Sequence, residues 1–130
     1  MLPITSVTAS LAVVIYIALA FRIIAIRRAK RVSLGTADSD LLETRVRQHG
    51  NFNEYAPLTL LLMGLAEFQG AAALWIAVLG IGFLASRVLH IFGLEWMHKP
   101  IGLKLRTYGV LSCFAILMAL ALTLTGMALF

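Results

Sequence analysis

Apolar and polar residues fall along this chain in long blocks. Residues 4–26 are mostly Ala, Val, Ile and Leu with one charge, Arg22, while residues 71–86 and 107–130 carry no charge at all. A helix needs about 20 such residues to cross a bilayer core, so these blocks predict membrane spans. The remaining uncharged run, Tyr55–Ala66, has only twelve residues. It is too short to cross alone, and its span must take in Glu54, Asn53 and Asn51, reaching towards His49. Polar residues from this stretch therefore enter the bilayer level, where they must face other helices and not lipid.

The blocks predict helices over about 4–28, 39–68, 71–95 and 101–129. Pro3 suits a first-turn position. Ser39 or Asp40 followed by Glu43 gives a capping-type start to the second helix. Glu67–Gly70 reads as a short acidic turn, and Glu95–Pro100 (EWMHKP) as a polar loop with Trp96 at the interface. Short connections make this an all-α integral membrane protein, an antiparallel four-helix transmembrane bundle in one domain, residues 1–130. The amino terminus lacks a basic leader and a small-residue cleavage site, so it is read as a retained span.

Composition agrees: 61% of residues are hydrophobic and 13% charged, with a mean hydropathy of +0.93. Soluble domains are about one quarter charged. The net charge of +5 would fit nucleic acid, but the cations cluster. Seven of the eleven Lys and Arg lie between Arg22 and Arg47, and three between Lys99 and Arg106. That clustering fits positive-inside topology and anionic lipid, and no nucleic-acid partner is expected. Both basic loops share one side. The acidic turn and both termini share the other, which places the termini outside the cytoplasm. The single Cys113 permits no intrachain disulfide.

Glu43, Arg47, Asn51 and Glu54 are spaced four, four and three apart, which stacks them on one helical face. At the same depth lie Arg22 or Arg27 on the first helix, Arg87 and His90 on the third, and Arg106 on the fourth. Such a layer is a structural salt-bridge network, a pocket for a small anionic ligand, or an ion pathway. In the network reading, Glu54 neutralises an arginine of a neighbouring helix. No metal is expected, because His49, His90 and His98 stand on separate segments. The first helix has no acid, which argues against a small multidrug exporter.

The run Glu43, Arg47, His49, Asn51, Glu54, Tyr55, Pro57 resembles the second-helix signature of the MAPEG family, the membrane-associated proteins of eicosanoid and glutathione metabolism. The likeness is to its bacterial members and to microsomal glutathione transferases. Arg87-x-x-His90 and Arg106 fit the same pattern. The resemblance implies a homotrimer in a bacterial inner membrane, with glutathione as co-substrate between subunits near the cytoplasmic side. A lipophilic electrophile would arrive from the bilayer and be conjugated or reduced.

By that resemblance Asn51 and Glu54 hold the glutathione backbone, and Arg47 matches a core arginine. His90 contacts glutathione, Arg87 lies near the subunit interface, and Arg106 stabilises the thiolate. Arg27 is the first-helix arginine taken into the pocket, with Arg22 and Arg28 as alternatives. Tyr55 and Tyr108 are candidate donors to the thiolate. Gly50 stands where several members carry a further glutathione-binding arginine, and Leu94 where some carry a tyrosine. These departures argue against eicosanoid chemistry. The alternative to an enzyme is a non-catalytic membrane protein whose charge layer only holds the trimer together.

Overall fold

Four helices make up the computed structural model, which describes residues 1–129: α1 (Pro3–Lys30), α2 (Asp40–Phe68), α3 (Ala73–Glu95) and α4 (Pro100–Leu129). The chain is a membrane protein in which α1, α3 and α4 are each long and apolar enough to cross a bilayer. The exception, α2, is charged through its first half, yet its 29 residues extend about 43 Å at 1.5 Å per residue. It packs against all three other helices, whereas α1 and α4 do not touch among the described residues. The most polar helix thus has neighbours on three sides, as α3 also does, and can keep its polar groups away from lipid.

Two contacts fix the antiparallel order. At one end the Glu67 carboxylate accepts from the N–H groups of Ile4 (2.9 Å) and Thr5 (2.8 Å), the otherwise unpaired donors of the first turn of α1. The expected acidic turn is thus corrected: α2 runs on through Glu67 to Phe68, and the chain reverses at Gly70, whose φ of +91° suits glycine. Glu67 caps a different helix. At the other end Arg22 (α1), Arg45 and Gln48 (α2) and Glu95 (α3) form one cluster. Glu95 accepts from Arg22 at 2.9 Å and from both terminal nitrogens of Arg45. Gln48 is fully buried and saturated. Its amide donates to Ile91 O and Glu95, and its oxygen accepts from Arg22 and Arg45.

Between these ends the helices meet through small residues. A Cβ on Gly80 would sit 2.7 Å from Thr8 Oγ1 of α1 and 2.8 Å from the Met63 methyl of α2. On α3 and α4 the approach is backbone to backbone. A Cβ on Gly109 would lie 2.8 Å from both His90 N and Ser86 O, and one on Gly93 would collide with the Arg106 backbone. Small residues that let backbones approach are how helices associate where lipid removes the hydrophobic drive. Phe52, Met63, Ile76, Phe83, Cys113 and Leu120 fill the space between. Large apolar side chains such as Val14, Phe21, Leu111 and Met118 point outward.

The Ser39 hydroxyl accepts from Leu42 N–H and starts α2, in keeping with the expected cap. Helix α2 continues through Pro57 without a break.

Two outcomes follow from these contacts. Glu95→Gln leaves Arg22 and Arg45 without an anion, and it is expected to cost about 2 kcal/mol of stability. Thermal unfolding in detergent measures it, and the loss should persist at high salt because Arg45 is mostly shielded. Gly93→Ala forces α3 and α4 apart and should cost about 2 kcal/mol or more by the same measurement.

Candidate functional site

The charged half of α2 has two polar faces. Arg45 and Gln48 continue the buried stripe of Phe52, Ala56, Thr59 and Met63 and face α1 and α3. Arg47, Gly50, Asn51 and Glu54 are rotated away from them and face α4. Along this second face runs a cavity of about 750 Å³, closed by α3 and α4 on its far side. The volume falls within the range of small-molecule sites.

Most of the residues singled out in the sequence meet here. Arg47, Asn51, Glu54 and Tyr55 line the cavity from α2, His90 from α3, and Arg106 from α4. The close crossing at Gly93 and Gly109 is what brings His90 and Arg106 to one opening. Arg47, Glu54 and Arg106 are exposed to it and make no ion pair among the described residues. The expected neutralisation of an arginine by Glu54 is therefore corrected, because the anion that holds arginines of neighbouring helices is Glu95. His90 is 4% exposed, and its Nδ1 has no hydrogen-bond partner among the described residues. Asp40, Glu43 and His98 stand at the mouth.

Three expected residues lie elsewhere. Arg27 donates to Ser33 O at 3.1 Å and serves the end of α1. Of the first-helix arginines, Arg22 is the one committed to the bundle, through Glu95. Tyr108 is exposed and not part of the lining. Arg87, 1% exposed, does not line the cavity but sits behind it. Its guanidinium donates to Asn51 Oδ1 at 2.8 Å, to Gly109 O at 2.7 Å and to Ser86 Oγ at 3.3 Å. It also lies 4.9 Å from the centre of the Tyr55 ring. Tyr55 in turn packs on Phe114, with centroids 5.7 Å apart.

Sequence reasoning passed over Arg45, Gln48, Glu95 and His98. The signal for the first three was present. Arg45 and Gln48 fall three apart on the stripe that continues into Phe52 and Ala56, so a core-facing charge needed an acid on a neighbouring helix. The positions noted as departures, Gly50 and Leu94, both line the cavity. Beyond its own helix turn, no described residue lies within 4 Å of where a Cβ on Gly50 would be, so that wall is open.

Chemically, the cavity combines permanent cations, neutral donors and carboxylates. Arginine offers bidentate recognition of carboxylates, while Glu43 and Glu54 offer acceptors. Below it, the seam of α2 and α4 turns apolar, with Leu58, Leu62, Phe114 and Met118 lining a shallow groove.

Comparison with known proteins identifies relatives and a family. Inner membrane protein YecN of Escherichia coli (strain K12) is 28% identical over 118 residues, which span 91% of this chain and 88% of that protein. The protein of the same name from Escherichia coli O6:H1 matches equally. No solved structure matches the chain. The MAPEG family model matches residues 5–126. On that match, which takes in all four helices, the chain belongs to the MAPEG family.

Proposed function

We propose that this protein is a glutathione-dependent transferase or peroxidase acting on lipophilic electrophiles. The observation that supports this most is the cavity lining. Three helices bring Arg47, Asn51, Glu54, Tyr55, His90 and Arg106 to one cavity, and among the described residues no carboxylate pairs with its two arginines. The arginines that do hold helices together, Arg22 of α1 and Arg45 of α2, meet Glu95 at the other face of α2. A charge layer serving only to hold the helices of one subunit together would have used the cavity cations in the same way.

In this reading the chain assembles as a homotrimer, and glutathione lies between neighbouring subunits. The basic end of the bundle faces the cytoplasm, and both termini lie across a bacterial inner membrane. Arg47, Asn51 and Glu54 hold the peptide backbone of glutathione, with its carboxylates on guanidinium forks and its ammonium towards carboxylates. A free thiol of pKa about 8.5 ionises more readily beside a permanent cation, and Arg106 supplies one without acting as a base. The thiolate then attacks the electrophile. In conjugation a sulfur–carbon bond forms as the leaving group departs with its electron pair. The apolar groove at Phe114 suits the hydrophobic partner, which enters from lipid and meets the thiolate near Tyr55.

Calorimetric titration of the detergent-solubilised protein with glutathione tests this. Saturable binding is expected, with ultraviolet thiolate absorbance appearing on binding. Arg106→Ala should leave assembly intact, remove that absorbance and lower turnover about a hundredfold. No binding to a well-folded protein, or loss of assembly in both Arg106→Ala and Glu54→Gln, would instead make the layer structural.

A further inference from the structure

Arg87 carries a charge that the chain buries almost completely and gives no carboxylate among the described residues. A buried cation without an anion is costly, and the protein meets that cost with neutral groups. A guanidinium has donors only, so the Asn51 amide must turn its oxygen to Arg87. That fixes which end of the amide is which. The Nδ2 group is left as the polar end of Asn51 that no protein hydrogen bond uses among the described residues, on a side chain that lines the cavity. Arg87 also lies against the ring of Tyr55, so the same hidden charge backs two neutral lining groups.

We infer that Arg87 is a positioning residue: it turns Asn51 into an obligate hydrogen-bond donor to an anionic or carbonyl oxygen of the bound ligand, without touching that ligand. The inference rests on the cavity being the glutathione site and adds to it the polarity of one contact. Asn51 faces a carboxylate or a peptide carbonyl of glutathione, not an N–H or its ammonium. Specificity follows, because a ligand offering a donor at this place would leave both Nδ2 and itself unsatisfied.

Asn51→Asp separates this role from a merely structural one. In the ligand-free protein the new carboxylate gives Arg87 the counter-charge it lacks, and the unfolding midpoint in detergent should rise by about 3 °C. The same change removes the donor and puts a negative charge in its place, so glutathione affinity by calorimetry should fall at least about tenfold. Arg87→Met, with Asn51 intact, should weaken glutathione by a similar factor where it folds. If it does not fold, Asn51→Asp still decides.

A lower midpoint for Asn51→Asp would mean the amide oxygen does not face Arg87, and would overturn the inference. Undiminished glutathione binding by a stabilised Asn51→Asp would overturn it as well. If the wild-type protein takes no glutathione, the proposed function fails by itself. The midpoint then judges the polarity of Asn51 alone, a rise supporting it and a fall overturning it.

Discussion

A charged side chain inside a bilayer must find its partners within the protein, because lipid offers none. In this bundle the constraint falls on α2, which takes Arg45, Arg47, Gln48, Asn51 and Glu54 into the space between three other helices. Its solution is to divide them by face. On one side Gln48 uses both donors and both acceptor sites, and Glu95 draws arginines from two helices onto one carboxylate. On the other side Arg47 and Glu54 make no ion pair among the described residues and are exposed to a cavity. The first face costs the chain freedom to move α1, α2 and α3 apart. The second can keep its cations available because the first already holds the helices.

The cavity also depends on what is missing from α3 and α4. Side chains at Gly93 and Gly109 would separate the two backbones, and His90 and Arg106 would no longer share an opening. The same approach puts Gly109 O within 2.7 Å of Arg87 and so provides one of the neutral acceptors that make its burial tolerable. Packing and electrostatics at the site are one arrangement seen from two sides.

Much of this was legible from residue order alone. The short uncharged run after Glu54 forces the polar stripe into the bundle, and the four-residue spacing from Glu43 to Asn51 puts it on one face. Both readings rest on helical geometry and bilayer thickness, which are local or nearly so. Other features depend on which helices become neighbours, and spacing does not encode that. Arg87 and His90 are three apart and read as one pair, yet one lines the cavity and the other backs it. Glu67 looks like a turn residue until α1 is laid against it. Arg27 looks equivalent to Arg22, one and a half turns earlier. Only Arg22 has Glu95 within reach, while Arg27 turns to its own helix end at Ser33.

Gly50 bears on how the site can bind an anion at all. An arginine at this position would add a third cation to the lining, and the open space there would admit a longer side chain. Without it the exposed guanidiniums are Arg47 and Arg106, set against Asp40, Glu43 and Glu54 in the same lining. Two cations against three carboxylates leave that group with a formal excess of negative charge, so the exposed residues alone do not favour a ligand bearing two carboxylates. A buried charge is screened far less than an exposed one. Arg87, held behind Asn51 and Tyr55, therefore contributes to the potential in the cavity out of proportion to its distance. In the proposed reading, with glycine at position 50, the cation that the cavity does not touch is the one left to favour an anion.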